Sequence, residues 1–146
     1  MKEDIYEILL VEDDPNDAEM TINVLMEHHL ANKIHWVEDG QEAINYLFGL
    51  GKHAGRNIEQ KPKLILLDIK LPKIDGLEVL KRIKSDGIMK TIPVVILTSS
   101  REDNDIMRSY NLGVNSYVVK PVDFDKFCKV VNGLGLYWLL LNQPPE

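Results

Sequence analysis

The chain has 146 residues, enough for one domain with a full core. Hydrophobic residues make up 45% and charged residues 27%, a balance that excludes a disordered or fibrous chain. The net charge is −6 and no Lys/Arg run is present, so no nucleic-acid surface is expected. Cys128 is the single cysteine and cannot form an internal disulfide. The acidic start MKED is not a signal peptide, and the apolar stretch 134–141 is too short to span a bilayer. The expectation is a cytoplasmic protein that does not enter a membrane.

In chain order, IYEILLV at 5–11 has strand length and stops at Glu12-Asp13-Asp14-Pro15. Asp14 reads as an N-cap with Pro15 at the first helical position. Acids in the first turn suit the helix dipole. Ala18, Ile22, Leu25 and Met26 follow at helical spacing. Residues 32–37 form a weaker second strand. Gly40 opens a helix carrying Ala43, Ile44, Leu47 and Phe48, and a glycine-punctuated polar loop runs to Pro62.

KLILL at 63–67 is a continuously apolar third strand, as expected of one covered on both faces, and it stops at Asp68. Leu71-Pro72 and Asp75-Gly76 mark a loop before a helix with Leu77, Leu80 and Ile83. PVVIL at 93–97 is the fourth strand, ending at Thr98-Ser99-Ser100. Either serine is a candidate cap, with Glu102 or Asp103 completing a capping box. The helix that follows is weak, with Ile106, Met107 and Tyr110 as its apolar residues and Gly113 as its stop. SYVV at 116–119 is the fifth strand, closed by Lys120-Pro121. Asp123 caps a last helix whose stripe is Phe124, Phe127, Val131, Leu134 and Trp138.

Strands alternating with helices imply parallel β-α-β units in one doubly wound α/β sheet. Ligands of such sheets sit beyond the C-terminal strand ends, where the strand order reverses. Those ends carry Glu12 and Asp13, Asp68, Thr98 and Lys120. Three carboxylates crowded together need a cation, and all-oxygen ligands select a hard one such as Mg²⁺. A cation and a lysine flanking one aspartate would attract a phosphoryl group and stabilise charge on its oxygens. An aspartate can be the nucleophile.

The set LLVED, LLDIKLP, DG, VVILTSS and YVVKP resembles the response-regulator receiver domains of two-component signalling, from about residue 5 to 133. NSYVVKP and the end GLYWL further resemble stand-alone receivers partnered with phytochrome-type histidine kinases. The resemblance implies a flavodoxin-like, five-stranded parallel sheet in the order 2-1-3-4-5 with helices on both faces. It implies phosphorylation of Asp68 by a sensor histidine kinase with Mg²⁺. Asp13 then matches the direct metal ligand, Glu12 the acid acting through water, and the Lys70 backbone carbonyl a further ligand. Thr98 matches the switch hydroxyl, Lys120 the phosphate-contacting lysine and Tyr117 the aromatic switch residue. A cis Lys120-Pro121 bond follows from the same resemblance.

The expected organisation is one receiver domain over 1–146, with a short helical extension at about 134–146 and no output domain. The final stripe reads as core packing of the last helix on the sheet or, for the extension with Tyr137, Trp138 and Leu141, as a face for a second copy. For the extension, the second copy is the expectation. Such a protein catalyses only its own phosphorylation and dephosphorylation and is not an enzyme in the ordinary sense. A Mg²⁺-dependent phosphatase with an aspartate nucleophile is the competing reading. It usually needs a second acid two residues on, where this chain has Lys70. A degenerate interaction module would lack the nucleophile or the lysine, and both are present. His28, His29, His35 and His53 read as surface or helix-end residues, and Cys128 as packing.

Overall fold

Uninterrupted apolar strands need cover on both faces, and alternating helices supply it. The computed structural model describes residues 8–28, 33–99 and 104–135. Among these, the strands are β1 (Ile8–Val11), β2 (Ile34–Val37), β3 (Leu64–Asp68), β4 (Val94–Thr98) and β5 (Ser116–Val119). They alternate with α1 (Pro15–Glu27), α2 (Gly40–Phe48), α3 (Gly76–Ser85), α4 (Asn104–Asn111) and α5 (Phe124–Gly133). All strand pairs are parallel, and the sheet order is β2-β1-β3-β4-β5, as the resemblance implied. The order reverses beside β1, which has β2 on one side and β3 on the other.

Side chains alternate across the sheet and divide the core in two. Leu9, Val11, Ile65, Leu67, Val94 and Ile96 face a layer built with Ala43, Ile44 and Leu47 of α2 and Leu80 and Ile83 of α3. Ile8, Leu10, Leu64, Leu66, Val95 and Leu97 face the other, with Ala18 and Leu25 of α1 and Phe127 and Val131 of α5. Each of these strand residues is fully buried.

The strand ends differ from expectation in an informative way. β3 extends to Asp68 and β4 to Thr98, because both residues still hold register with a neighbour. Residues 5–7, Asn32, Ser100, Glu102, Asp103 and 136–146 lie outside the described residues. Of the two candidate capping serines, Ser100 therefore does too, as does most of the C-terminal extension. The polar loop after α2 contains a short 3-10 turn, Gly51–His53.

Helix starts are held close to the C-terminal strand ends by aspartate caps. Asp14 accepts from the N–H groups of Asn16 and Asp17, Asp39 from that of Glu42, and Asp123 from that of Lys126. α3 starts directly against the end of β3. A methyl group on Gly76 would run into the carbonyl oxygens of Asp68 and Ile69. Gly76→Ala is expected to destabilise the protein by about 1–3 kcal/mol through overpacking. Urea unfolding with an unchanged m-value checks it; wild-type stability would contradict the close approach.

Candidate functional site

Register brings the acids level. Val11 lies opposite Leu67, so the next residues, Glu12 and Asp68, meet across the β1–β3 pair. Asp68 lies opposite Leu97, and Thr98 opposite Val119. Lys120 follows directly, its N–H donating to the Thr98 carbonyl at 2.7 Å. The Lys120-Pro121 peptide is cis.

The Lys120 ammonium is the centre of the site. It donates to Asp68 Oδ2 at 2.9 Å, Asp17 Oδ2 at 3.0 Å and Glu12 Oε1 at 3.1 Å. An ammonium has three N–H donors, so this set occupies all of them. Asp68 Oδ1 accepts from the Lys70 N–H at 3.0 Å, which fixes the carboxylate from its other side. Carboxylate oxygens of Glu12, Asp13 and Asp68 lie within 4.8 Å of one another. Glu12 and Asp68 are buried, whereas Asp13 is exposed. The donors are hard oxygens, crowded and under-compensated by one lysine, and they fit a divalent cation.

Crowding shows in the proton equilibria. Burial raises the Glu12 carboxyl from 4.5 to about 8, helped by its hydrogen bond to Asp68 and the Asp68 charge. Hydrogen bonds from Lys120 and the Asp14 N–H act in the opposite direction. Burial alone would lower the Lys120 ammonium. Its hydrogen bonds to Asp68, Asp17 and Glu12 outweigh that and hold it above its ordinary value.

Glu12, Asp13, Asp68 and Lys120 thus converge as the sequence suggested, with Thr98 buried beside them at the end of β4. Tyr117 stands apart. It is half-buried in β5, opposite Ile96, with its ring edge-on to Tyr110 at 6.2 Å. Lys70 reaches the site through its backbone, while the residue as a whole is exposed.

Two participants were not foreseen. Asp17 reads in sequence as a first-turn acid serving the helix dipole. Its position in the first turn of α1, beside the end of β1, was the available signal. Trp36 of β2 donates from Nε1 to the Glu12 carbonyl at 2.8 Å, a contact spanning 24 positions that no local pattern announces.

The histidines also divide differently from expectation. His28 ends α1, and His29 lies outside the described residues. His35 is not at a helix end. It is half-buried in β2, with its ring 4.4 Å from Tyr46 and 5.9 Å from His53. Burial between β2, α2 and the following turn pushes both imidazoles below their ordinary value.

The raised Glu12 value sets a direction with pH. Without a cation, Glu12 favours folding fully below 4.5, and that contribution is lost as pH rises through about 8. Asp68→Asn removes a neighbour that raises the value, so Glu12 should ionise at lower pH in that variant. Carboxyl-carbon NMR titration in a chelator reads this directly; an unmoved Glu12 would contradict the coupling.

The comparisons with known proteins agree with this geometry. The family model described as a response regulator receiver domain matches residues 8–132. The probable methanogenesis regulatory protein FilR2 of Methanothrix harundinacea is 40% identical over 143 residues, covering 98% of this chain and 90% of that one. The solved bacteriophytochrome response regulator RtBRR is 48% identical with a TM-score of 0.86, covering 97% of this chain and 85% of its own. The Mn²⁺-bound form of response regulator Rcp1, a protein of Synechocystis, is 37% identical with a TM-score of 0.75, covering 97% and 99%. Among the described residues, no helix is long and apolar enough to cross a membrane. With its acids and its lysine meeting where the strand order reverses, the chain belongs to the response regulator receiver domain family.

Proposed function

We propose that this chain is a response regulator whose Asp68 accepts a phosphoryl group from a partner histidine kinase in a Mg²⁺-dependent reaction. The observation that carries the proposal is the position of Asp68. Its two oxygens are held separately by Lys120 and the Lys70 N–H, beside two further acids. One Asp68 oxygen forms the bond to phosphorus as the bond to the donor's nitrogen or oxygen breaks. The electron pair leaves with the donor. Asp13, Asp68 and the Lys70 carbonyl are the proposed protein ligands of Mg²⁺, with Glu12 acting through water. When bound, the cation neutralises charge on the transferring group.

Lys120 supplies the second positive charge, and the Thr98 hydroxyl hydrogen-bonds the new phosphoryl oxygens. Movement of Thr98 and Tyr117 then biases the fold between two arrangements. The protein acts on no external product and catalyses only its own phosphorylation and dephosphorylation. A phytochrome-type kinase is the proposed donor, supported by the likeness to RtBRR. FilR2 shows that similarity also extends to a protein named for a different process. The expected face for a second copy, around Tyr137, Trp138 and Leu141, lies outside the described residues.

Acetyl phosphate with Mg²⁺ should add one phosphoryl group by intact mass, and Asp68→Asn should add none. No adduct from acetyl phosphate or any kinase would sink the proposal. Cation binding should also expel the Glu12 proton below about pH 8. Calorimetry at neutral pH in buffers of different ionisation enthalpy should report proton release on Mg²⁺ addition. Glu12→Gln should abolish it; equal release from that variant would assign the proton elsewhere.

A further inference from the structure

Of the three acids on the Lys120 ammonium, two belong to the cation-competent cluster and one does not. Glu12 and Asp68 contribute oxygens to the group of three acids, together with Asp13. Asp17 does not, yet it accepts from the same nitrogen at 3.0 Å. A cation bound by the cluster takes up the charge of Asp68, and like charge repels the ammonium. The attraction between Asp68 and Lys120 is then weakened, at the moment when the lysine's charge is needed.

Asp17 keeps its charge available to Lys120. Its place is fixed from the helix side, because the Asp14 cap accepts from the Asp17 N–H at 3.3 Å. Lys120 is fixed at its other end by the N–H bond to Thr98. Between these two anchors the ammonium has little freedom to leave Asp68. The Lys120 side chain is 16% exposed and that of Asp17 34%, so the pair is partly shielded from water.

We propose that Asp17 is a positioning residue for phosphoryl transfer, holding the Lys120 ammonium beside Asp68 while a cation occupies the acid cluster. This rests on the reading of Asp68 as the phosphoryl acceptor. Asp17 touches neither the reacting oxygen nor the cation; it acts through Lys120.

The test compares Asp17→Ala and Asp17→Asn with the wild-type chain at saturating Mg²⁺ and acetyl phosphate. Asp17→Ala should slow adduct formation about tenfold, as expected when a charged group is misplaced by a fraction of an ångström. Asp17→Asn keeps an acceptor oxygen and should recover part of the loss. Mg²⁺ affinity should stay within about twofold of wild type in both. The labelled Lys120 side-chain NMR signal, recorded with Mg²⁺ and no donor, should move toward that of a free lysine in Asp17→Ala only. Glu19→Ala, which removes an exposed acid from the same helix, should leave rate and signal unchanged.

A wild-type rate in Asp17→Ala with an unmoved Lys120 signal overturns the inference and leaves Asp68 standing as acceptor. A matching fall in Mg²⁺ affinity also overturns it, by making Asp17 part of the cation cluster. An equal loss in Glu19→Ala reduces it to net charge. A wild-type chain that takes up no phosphoryl group overturns both readings.

Discussion

The ammonium of Lys120 is the interaction on which the site depends. Glu12, Asp13, Asp17 and Asp68 lie around the C-terminal ends of β1 and β3 and the start of α1, and the lysine contacts three of them. Without it, buried Glu12 and Asp68 would face each other with no positive charge between them, a costly arrangement at low dielectric. Even with it, compensation is incomplete, and Glu12 holds its proton up to about pH 8. The site is therefore built to accept more positive charge than the protein supplies.

That incompleteness depends on rigid surroundings. The sheet register sets Glu12 level with Asp68, and the two core layers lock each strand so that it cannot slip. The glycine at the start of α3 lets a helix approach the carbonyl of Asp68 itself. Trp36 ties the Glu12 backbone to the neighbouring strand. Charges that repel stay together because the backbone beneath them has nowhere else to go.

Much of this was legible beforehand, for a specific reason. The strands β3 and β4 are apolar runs that end abruptly in one polar residue, so both the element and the functional position are written side by side. The aspartate caps of α1 and α5 were equally plain, since Asp14 and Asp123 stand directly before the helical spacing begins. Asp17 was not legible as a site residue. A first-turn acid has an adequate local explanation, and its contact lies 103 positions away on Lys120. His35 misled in the same way, because its burial depends on the packing of Tyr46 and His53, which local periodicity does not encode.

The amino-acid sequence by itself determined the alternation of elements, the strand ends and the chemical types placed there. These follow from hydrophobic period and chain punctuation, which are local properties. Only the tertiary structure decided which acids share the lysine, which are sealed from water and which face it. Those depend on register between strands distant in sequence, and on distances of about 3 Å that hydrogen bonding requires. Asp13 and Glu12 illustrate the division. They are adjacent acids in the chain, yet one is exposed to solvent and the other is buried against Lys120.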